Sequence, residues 1–547
     1  MTARRALAAT LASLIGLITA ATPLASIEGT APTEVGNDAC RPCHAQIYET
    51  YSRTPMSRTS GRAASGLLAG EFTHRRSGIH YRVFSDAKGP TLAFDRPGDR
   101  GISGRLPLKY YVGSNTRGRT FLFSVDRFLY QSPINFYARS GAWDMSPGYA
   151  DLETMPLNHV VDRTCLFCHA SRVATPEPGT ANRFDGEPFL QDGVGCERCH
   201  GAGSEHVAGR GHLLDPRTVP ADVRDSLCTQ CHLEGQARIA RAGRALTDFR
   251  PGDRLSDTMA VFVFENGANA ARGAVSHVES LAASVCKRKS GDAMSCLSCH
   301  DPHVQTEPSA RAAYYRGKCL QCHGTLAAEH HPDRPDCTGC HMPRVESADI
   351  GHTAVTDHRI LKDPSAAVGI AAGNRLVPFG DVDADNRELG LAYAEIALRG
   401  DARAAGEARR LLDGIVGRYP ADPQVLTRLA WLDQQRHDVA RAETLYQRAV
   451  AANPGEPVAA TNLGVILAGQ GFMTRALSVW QPAFDRHPDA SELGVDVALA
   501  MCRTGNWKGA EETVRIVLEH NPDFQPARQV GAALARGPDA CRIETER

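Results

Sequence analysis

The last third of the chain has the most regular pattern of apolar and polar residues. Small and turn-forming residues recur there every 34 positions: Ala408, Ala442, Ala476 and Ala510, and Pro420, Pro454, Pro488 and Pro522. Bulky residues keep the same register at Leu412, Tyr446, Trp480 and Val514. This period predicts helix–turn–helix repeats with small residues at the helix crossing and proline after the second helix. We expect four repeats, over residues 389–422, 423–456, 457–490 and 491–524, and a C-terminal tail over 525–547.

A different pattern occupies residues 71–160. Short segments rich in aromatic and β-branched residues include Ile79-His-Tyr-Arg-Val-Phe84 and Arg119-Thr-Phe-Leu-Phe-Ser-Val125. Gly113, Gly118 and Asp126 separate such segments as turn residues. The pattern predicts a small antiparallel sheet, a β-rich insertion in a chain that is otherwise mainly α.

The N-terminus has the pattern of an export signal. Arg4 and Arg5 precede an apolar run over residues 6–21, and small residues around Ala25 could be cleaved. We expect residues 1–25 to be a cleaved signal peptide; an uncleaved anchor is the alternative. No later stretch is apolar enough to span a bilayer, so the mature protein is expected in the periplasm or outside the cell.

Composition adds an unusual supply of metal-ligating residues. The 547 residues carry a net charge of -1, which gives no reason to expect a nucleic-acid or membrane-surface partner. They include 17 Cys and 21 His. Most of the cysteines fall into one repeated arrangement.

Seven Cys-x-x-Cys-His motifs use 14 of the cysteines. Chance placement in this composition would yield roughly 0.02 such motifs. Two thiols at this spacing bond covalently to the two vinyl groups of one porphyrin, and the following histidine binds its iron. The motifs therefore predict seven haem c groups, attached through Cys40 and Cys43, Cys165 and Cys168, Cys196 and Cys199, Cys228 and Cys231, Cys296 and Cys299, Cys319 and Cys322, and Cys337 and Cys340, with His44, His169, His200, His232, His300, His323 and His341 as proximal ligands.

The motifs also divide the haem-binding part of the chain. The first lies in residues 36–70 and the other six in residues 161–360, followed by a linker over 361–388 rich in Pro, Gly and Asp. Zinc sites are the main alternative, but they give no reason for a histidine after every second cysteine. Cys286, Cys502 and Cys541 lie outside the motifs; Cys502 and Cys541 could pair, and Cys286 could remain a thiol.

The second axial position of each iron separates an electron carrier from a catalyst. Eleven further histidines in this part of the chain could fill it: His74, His80, His159, His206, His212, His277, His303, His330, His331, His352 and His358. Sequence context favours His159, His206, His277, His303, His352 and His358 as distal ligands. Met56 follows the first motif closely and is the non-histidine candidate; packing is its alternative role.

Several segments resemble a known family. Gly195-Cys-Glu-Arg-Cys-His-Gly-Ala-Gly-Ser-Glu-His206 is similar to the haem segments of cytochrome c-554-type multihaem cytochromes, and Met294-Ser-Cys-Leu-Ser-Cys-His-Asp-Pro-His303 with the nearby Cys319 resembles the doubled Cys-x-x-Cys-His class. Trp143-Asp-Met-Ser-Pro-Gly-Tyr149 and the tetratricopeptide tail resemble bacterial multihaem proteins that join both modules. The resemblance implies an electron-transfer protein and supports His206, His303, His352 and His358 as ligands. Relatives often have a histidine shortly after the first motif, where this chain has Met56.

These observations lead to one expected function and two alternatives. We expect electron transfer along covalently attached haems, with the repeats docking a redox partner protein on their concave face. The main alternative is an oxidoreductase that acts on a small nitrogen or sulfur compound at one five-coordinate haem. A scaffold in which the haems are only structural is the other. The oligomeric state, the potentials and the partner do not follow from the sequence.

Overall fold

The computed structural model describes residues 32–155, 157–265, 276–324, 330, 336–344, 356–363, 375–380 and 382–537. The expected signal peptide, His331, His352 and Cys541 lie outside these residues. Along the chain, a short haem-motif segment is followed by a β-sheet, the remaining motifs and a helical solenoid. This order confirms the predicted fold class.

The β-rich insertion is an antiparallel meander of eight strands. Hydrogen bonds link β2 to β8 in sequence order, and β1 pairs with β5. Ile79, Tyr81 and Val83 alternate with exposed or half-buried residues and face the core. The sheet starts earlier than predicted, at Ser60, with the strands β1 (Ser60–Arg62), β2 (Gly70–His74), β3 (Ile79–Asp86), β4 (Gly89–Arg96), β5 (Asp99–Val112), β6 (Gly118–Val125), β7 (Phe128–Tyr137) and β8 (Ala142–Met145).

Two local features shape this sheet. Asp126 and Arg127, with φ of 48° and 71°, form the two-residue turn between β6 and β7, which needs left-handed backbone at both positions. Trp143 on β8 donates a hydrogen bond from Nε1 to the carbonyl of Leu68 at 3.1 Å and lies over Gly70. Because a Cβ on Gly70 would lie 2.6 Å from the indole ring, glycine lets β8 approach the start of β2.

The haem-motif region consists of short helices and small sheets. Its helices are α1 (Ala45–Tyr51), α2 (Arg163–Phe167), α3 (Glu197–His200), α4 (Ser204–Val207), α5 (Ala221–His232), α6 (Leu255–Thr258), α7 (His277–Ala282), α8 (Val285–Ser290), α9 (Arg311–His323) and α10 (Cys337–His341). Its strands are β9 (Ala170–Val173), β10 (Phe189–Asp192), β11 (Ala237–Ala240), β12 (Met259–Phe264) and β13 (Leu376–Pro378).

The segment predicted as a linker, residues 361–388, is partly structured. Strand β13 pairs with β12, and Leu376 is buried against the solenoid. The backbone N–H of Leu376 donates to the hydroxyl of Tyr393 at 3.0 Å. The linker interpretation was wrong for these residues because the pattern of three apolar positions is too short to separate a strand from a loop.

The solenoid has four antiparallel helix pairs and a final helix. Ala408, Ala442, Ala476 and Ala510 are fully buried at the helix crossings, as the 34-residue period predicts. The first repeat begins before residue 389, because Asp385 caps an earlier start. The helices are α11 (Asn386–Ala397), α12 (Ala402–Ile415), α13 (Pro423–Gln434), α14 (Val439–Ala452), α15 (Pro457–Gly469), α16 (Met473–Arg486), α17 (Ser491–Arg503), α18 (Trp507–His520) and α19 (Gln525–Leu534).

The solenoid contacts the rest of the protein through residues of both its loops and its helices. Asn158 donates to the carbonyl of Asp489 at 2.9 Å, and Arg528 binds Asp99 at 2.8 Å. At the other end, Arg387 donates to the carbonyl of Ala240 at 2.8 Å. In the part of the chain that the structure describes, no helix is long and apolar enough to cross a membrane.

Candidate haem-binding centre

Each described haem motif is shaped by a tight turn of helix. The amides of His44, His200 and His300 donate to the carbonyls of the first cysteines of their motifs, each at 3.0 Å. This i to i+4 bond brings the first thiol and the imidazole to the same side of the turn. All 14 motif cysteines are free of disulfides. The local geometry is therefore the one that thioether attachment requires.

Five motif histidines lie opposite a second histidine from elsewhere in the chain. The ring centroids are 6.3 Å apart for His44 and His206, 5.9 Å for His200 and His303, 6.0 Å for His232 and His277, 6.3 Å for His300 and His358, and 5.9 Å for His341 and His330. With metal–imidazole bonds of about 2 Å, one metal ion between two opposed imidazoles separates their centroids by roughly 6 Å. The spacing fits an iron between the rings of each pair.

Backbone carbonyls hold several of these rings by their Nδ1 atoms. His200 Nδ1 lies 2.8 Å from the carbonyl oxygen of Leu214, and His341 Nδ1 lies 2.6 Å from that of Leu361. His206 and His358 make the same kind of contact, with Gly211 at 3.2 Å and Thr356 at 2.8 Å. A ring that donates through Nδ1–H presents the lone pair of Nε2, as a metal ligand must.

Burial keeps the rings of one group of histidines neutral. Burial, reinforced by the nearby His358, lowers the pKa of His277 to about 3. Burial also lowers the pKa values of His232, His300 and His358. A neutral imidazole has a free lone pair at pH 7, so these side chains are ready to bind a metal without losing a proton.

The region around the later motifs lacks an apolar core of its own. Among the described residues from 276 to 363, no apolar side chain is buried; the buried ones are Ser276, Ser280, Ser284, Ser295 and Asp357. Helix α9 carries a motif and has no buried residue along its length. Large apolar groups must fill this space for the helices to be held in place, and porphyrins are such groups. The residues present therefore fit haem.

The two residues inside the third motif join it to its neighbours. Glu197 is buried, and its carboxylate accepts backbone N–H bonds from Val35 and Gly36, both at 2.8 Å, and from Gly203 at 2.7 Å. These bonds fix the segment before the first motif against the third. Arg198 extends in the other direction and stacks on Phe167 of the second motif, 3.7 Å from its ring centroid.

Contacts between thiols show which motifs adjoin. Four pairs hydrogen-bond to each other: Cys40 with Cys196, Cys168 with Cys231, Cys228 with Cys296, and Cys319 with Cys337. The bond from Cys231 is the main reason that the pKa of Cys168 is lowered to about 6, whereas burial raises the pKa of Cys196 to about 12. With the motifs numbered one to seven in chain order, motif one thus adjoins motif three, and motif two adjoins motif four. Motif four also adjoins motif five, and motif six adjoins motif seven.

The opposed rings include four of the six histidines that the sequence favoured as distal ligands: His206, His277, His303 and His358. His159 instead lies beside the ring of Tyr149, at 5.9 Å, and its role as a ligand stays a prediction. His352 lies outside the described residues. His330 was not among the favoured candidates, although it precedes its motif much as His159 does.

Met56 follows the first motif in the chain, but the ring that lies opposite His44 is that of His206. The role of Met56 as a ligand stays a prediction. The backbone carbonyl of Met56 accepts a bond from the N–H of Val194 at 2.9 Å. The sequence could not show that His206 lies opposite His44, because the β-sheet lies between these two residues along the chain.

Other candidates have structural contacts. His74 is buried, with its ring nitrogens 2.9 Å from the hydroxyl of Ser77 and 3.1 Å from the carbonyl of Ala150. His80 lies on β3 between the carboxylates of Glu71 and Asp95. Among the cysteines outside the motifs, Cys286 is free and Cys502 is in a disulfide. No sequence pattern points to Glu197 and Arg198, because the attachment chemistry places no requirement on the two middle residues of a motif.

Two protein-family profiles match parts of the motif region. The family described as cytochrome c554 and c-prime matches residues 144–201, and the doubled CXXCH motif matches residues 289–328. None of the curated proteins compared matches the chain significantly.

Solved structures overlap the chain only in part. A structure of MamA is 17% identical over 28% of this chain and 85% of its own, with a TM-score of 0.25. A tetratricopeptide repeat protein from Parabacteroides merdae is 19% identical over 29% of this chain and 60% of its own, also at 0.25. The solenoid is identified by its helix pairs and their 34-residue period. Two segments of the motif region thus match multihaem c-type cytochrome profiles, a tetratricopeptide-repeat solenoid follows this region, and the chemistry that the matches indicate is haem-based electron transfer.

Proposed function

We propose that the protein carries electrons through seven covalently bound haem c groups, one for each motif. The five opposed histidine pairs are the observation that carries this proposal. An iron with two protein ligands has no open position for a substrate, so these haems would exchange electrons and do no other chemistry. The favoured ligands His159 and His352 remain proposals for the other irons.

The protein's own residues hold the groups and set their order. Cysteines of the motifs bind the porphyrin edges, paired histidines fix the iron, and backbone carbonyls orient the rings. Adjacent thiols such as Cys40 and Cys196 support porphyrins that nearly touch. Because electrons tunnel readily between close haems, we infer a continuous path that runs from motif one through motif three to the later motifs.

The solenoid is proposed to dock a redox partner protein. Its polar contacts with the body of the protein include those of Asp489 and Arg528, and neither of these residues lies on α15. Val458 and Val465 lie seven positions apart on α15, and therefore on one helix face, with exposed fractions of 39% and 45%. Exposed apolar pairs of this kind support a protein interface.

We also propose that the protein acts in the periplasm or outside the cell.

The number and state of the haems give the main test. The mass of the purified protein is expected to exceed that of the processed polypeptide by seven haem groups, and sequencing of its N-terminus will show whether the signal is cleaved. Electron paramagnetic resonance of the oxidised protein is expected to show low-spin iron. A high-spin iron that binds nitrite, hydroxylamine or cyanide would overturn the carrier function in favour of an oxidoreductase.

A second experiment tests docking. The variant V458D/V465D and the control V439D, which alters an exposed valine on α14, would be compared with the wild-type protein as bait in extracts of the native host. We expect a redox protein to be retained by the wild type and the control and lost from the double variant. Equal retention by all three baits would contradict docking on this face of α15.

A further inference from the structure

Arg198 is a buried cation at the junction of three haem motifs. It belongs to motif three, is 8% exposed, and lies near Cys199 of its own motif, Cys168 of motif two and Cys231 of motif four. Its guanidinium stacks on Phe167 and donates to the carbonyl of that residue at 3.1 Å. Because both contacts hold the group, its charge has a fixed position relative to the attachment sites.

Arg238 on β11 brings a second cation to the same place. Its guanidinium hydrogen-bonds to the thiol of Cys168 and donates to the carbonyl of Gln230, inside motif four, at 2.8 Å. It also contacts the sulfur of Met259 at 3.5 Å. Two positive charges therefore flank the adjoining cysteines of motifs two and four.

Among the residues that the structure describes, no carboxylate forms an ion pair with either guanidinium; the carboxylate of Glu34 lies near Arg198 but pairs with Arg172 at 3.1 Å. Most buried or half-buried arginines of the protein have such a partner; Arg96 binds Asp523, and Arg387 binds Asp422. The Nε atoms of Arg198 and Arg238 have no hydrogen-bond partner. Nearby thiols could carry compensating charge in the unmodified chain, but thioether formation makes their sulfurs neutral.

The neighbouring residue Glu197 places the opposite charge towards motif one. Its carboxylate lies near Cys40 and Cys196 and accepts hydrogen bonds from three backbone N–H groups. Two consecutive residues of one motif thus present a negative charge to one neighbouring haem site and a positive charge to two others.

We propose that this charge pair creates a step in reduction potential across motif three. A nearby cation favours the ferrous state, since iron loses one unit of positive charge on reduction, and a nearby anion favours the ferric state. The haems at motifs two and four then have higher potentials than the haem at motif one. An electron delivered by a redox partner to motif one passes downhill: each transfer oxidises one ferrous haem and reduces the next ferric haem by one electron.

This inference rests on the proposed haem content, and a potentiometric titration of the holoprotein followed by electron paramagnetic resonance tests it. Removing one cation, in R198Q or R238Q, is expected to shift the reduction equilibrium of the adjoining haems roughly tenfold towards ferric iron, which is 59 mV for one electron. R198K and R238K keep the charge and are expected to retain the wild-type potentials. E197Q is expected to raise the potential of one haem.

R41Q is the matched control, because Arg41 occupies a middle position of motif one but is exposed. Its charge is screened by water, so its loss is expected to change the potentials little. Equal shifts in the Gln and Lys variants, or a shift in R41Q as large as in R198Q, would overturn the proposal. Haem content by mass is measured for every variant. A wild-type protein with fewer than seven haems counts against the proposed function, whereas full haem content with unchanged potentials counts against the charge pair alone.

Discussion

Arg96 on β4 binds Asp523, in the loop between α18 and α19, through both carboxylate oxygens at 3.0 and 2.5 Å. Asp523 is 1% exposed, whereas the arginine is 22% exposed. The pair connects the β-sheet to the last turn of the solenoid, two elements that lie at opposite ends of the sequence.

Replacing Asp523 by Asn is expected to destabilise the protein by about 2 kcal/mol, because the two charged hydrogen bonds to Arg96 are weakened and only Asp99, at 3.9 Å, remains as a counter-charge. The thermal unfolding midpoint, followed by circular dichroism, measures this effect. Glu512→Gln breaks an exposed ion pair with Arg515 on α18 and is expected to leave the midpoint unchanged. A similar midpoint for both variants would show that the interface does not depend on the buried pair.

His206→Ala is expected to turn one haem high-spin, because the imidazole opposite His44 is lost. Visible and electron paramagnetic resonance spectra report the change, and six haems should keep the wild-type signals. His206→Met should restore a low-spin iron at a higher potential. His212→Ala is the control, since that side chain is exposed. High-spin iron in the control, or none in His206→Ala, would contradict the assignment.

Gly464→Ala is expected to destabilise the solenoid by about 1–3 kcal/mol, because a Cβ there would lie 2.0 Å from the indole nitrogen of Trp480. That nitrogen donates to the carbonyl of Thr461 at 3.0 Å, so the ring cannot move without losing the bond. Gly469→Ala alters the same helix where a Cβ meets nothing within 4 Å, and is expected to leave stability unchanged or raise it slightly. Chemical denaturation, followed by circular dichroism at about 222 nm, compares the stability of the two variants. Equal stability would refute the packing argument.

His520 gives the solenoid–sheet interface a dependence on pH. The ring is fully buried against Phe128 and Tyr130, and burial lowers its pKa from 6.5 to about 4. Since the unfolded chain binds the proton more readily, stability falls as the pH falls from 6.5 towards 4. The nearby acid Asp126 partly favours the charged ring. The full loss of unfolding free energy from this histidine is about 3 kcal/mol.

Asp489 acts in the opposite sense, because burial raises its pKa from 3.8 to about 6 and its stabilising neutral form is lost as the pH rises. The comparison is therefore made in an Asp489→Asn background. In that background, the thermal unfolding midpoint falls as the pH is lowered from 6.5 to 4, and His520→Phe is expected to make this fall smaller. An unchanged slope would show that another group causes the acid sensitivity.

Much of the architecture follows from local pattern, whereas the pairing within the site does not. Ala442 and its equivalents predict the solenoid because each repeat must bury the same small residue at the same crossing. The motif histidines follow from attachment chemistry. The partner of His44 depends on how a whole β-sheet folds back, and this is why the sequence offered both His206 and Met56 as candidate ligands without pairing His206 with His44. Strand β13 was missed because its pairing with β12 is a tertiary contact.

The part of the chain from residue 276 to 363 buries only serines and one aspartate among its described side chains. Because the described side chains here supply no apolar core, we expect these helices to become ordered when the thioethers form. The sheet and the solenoid each bury many aromatic and aliphatic side chains and have no such requirement. We therefore expect two parts of one chain to fold under different conditions. The sheet and the solenoid need only their own sequence, whereas the segment 276–363 needs porphyrin and the enzymes that attach it.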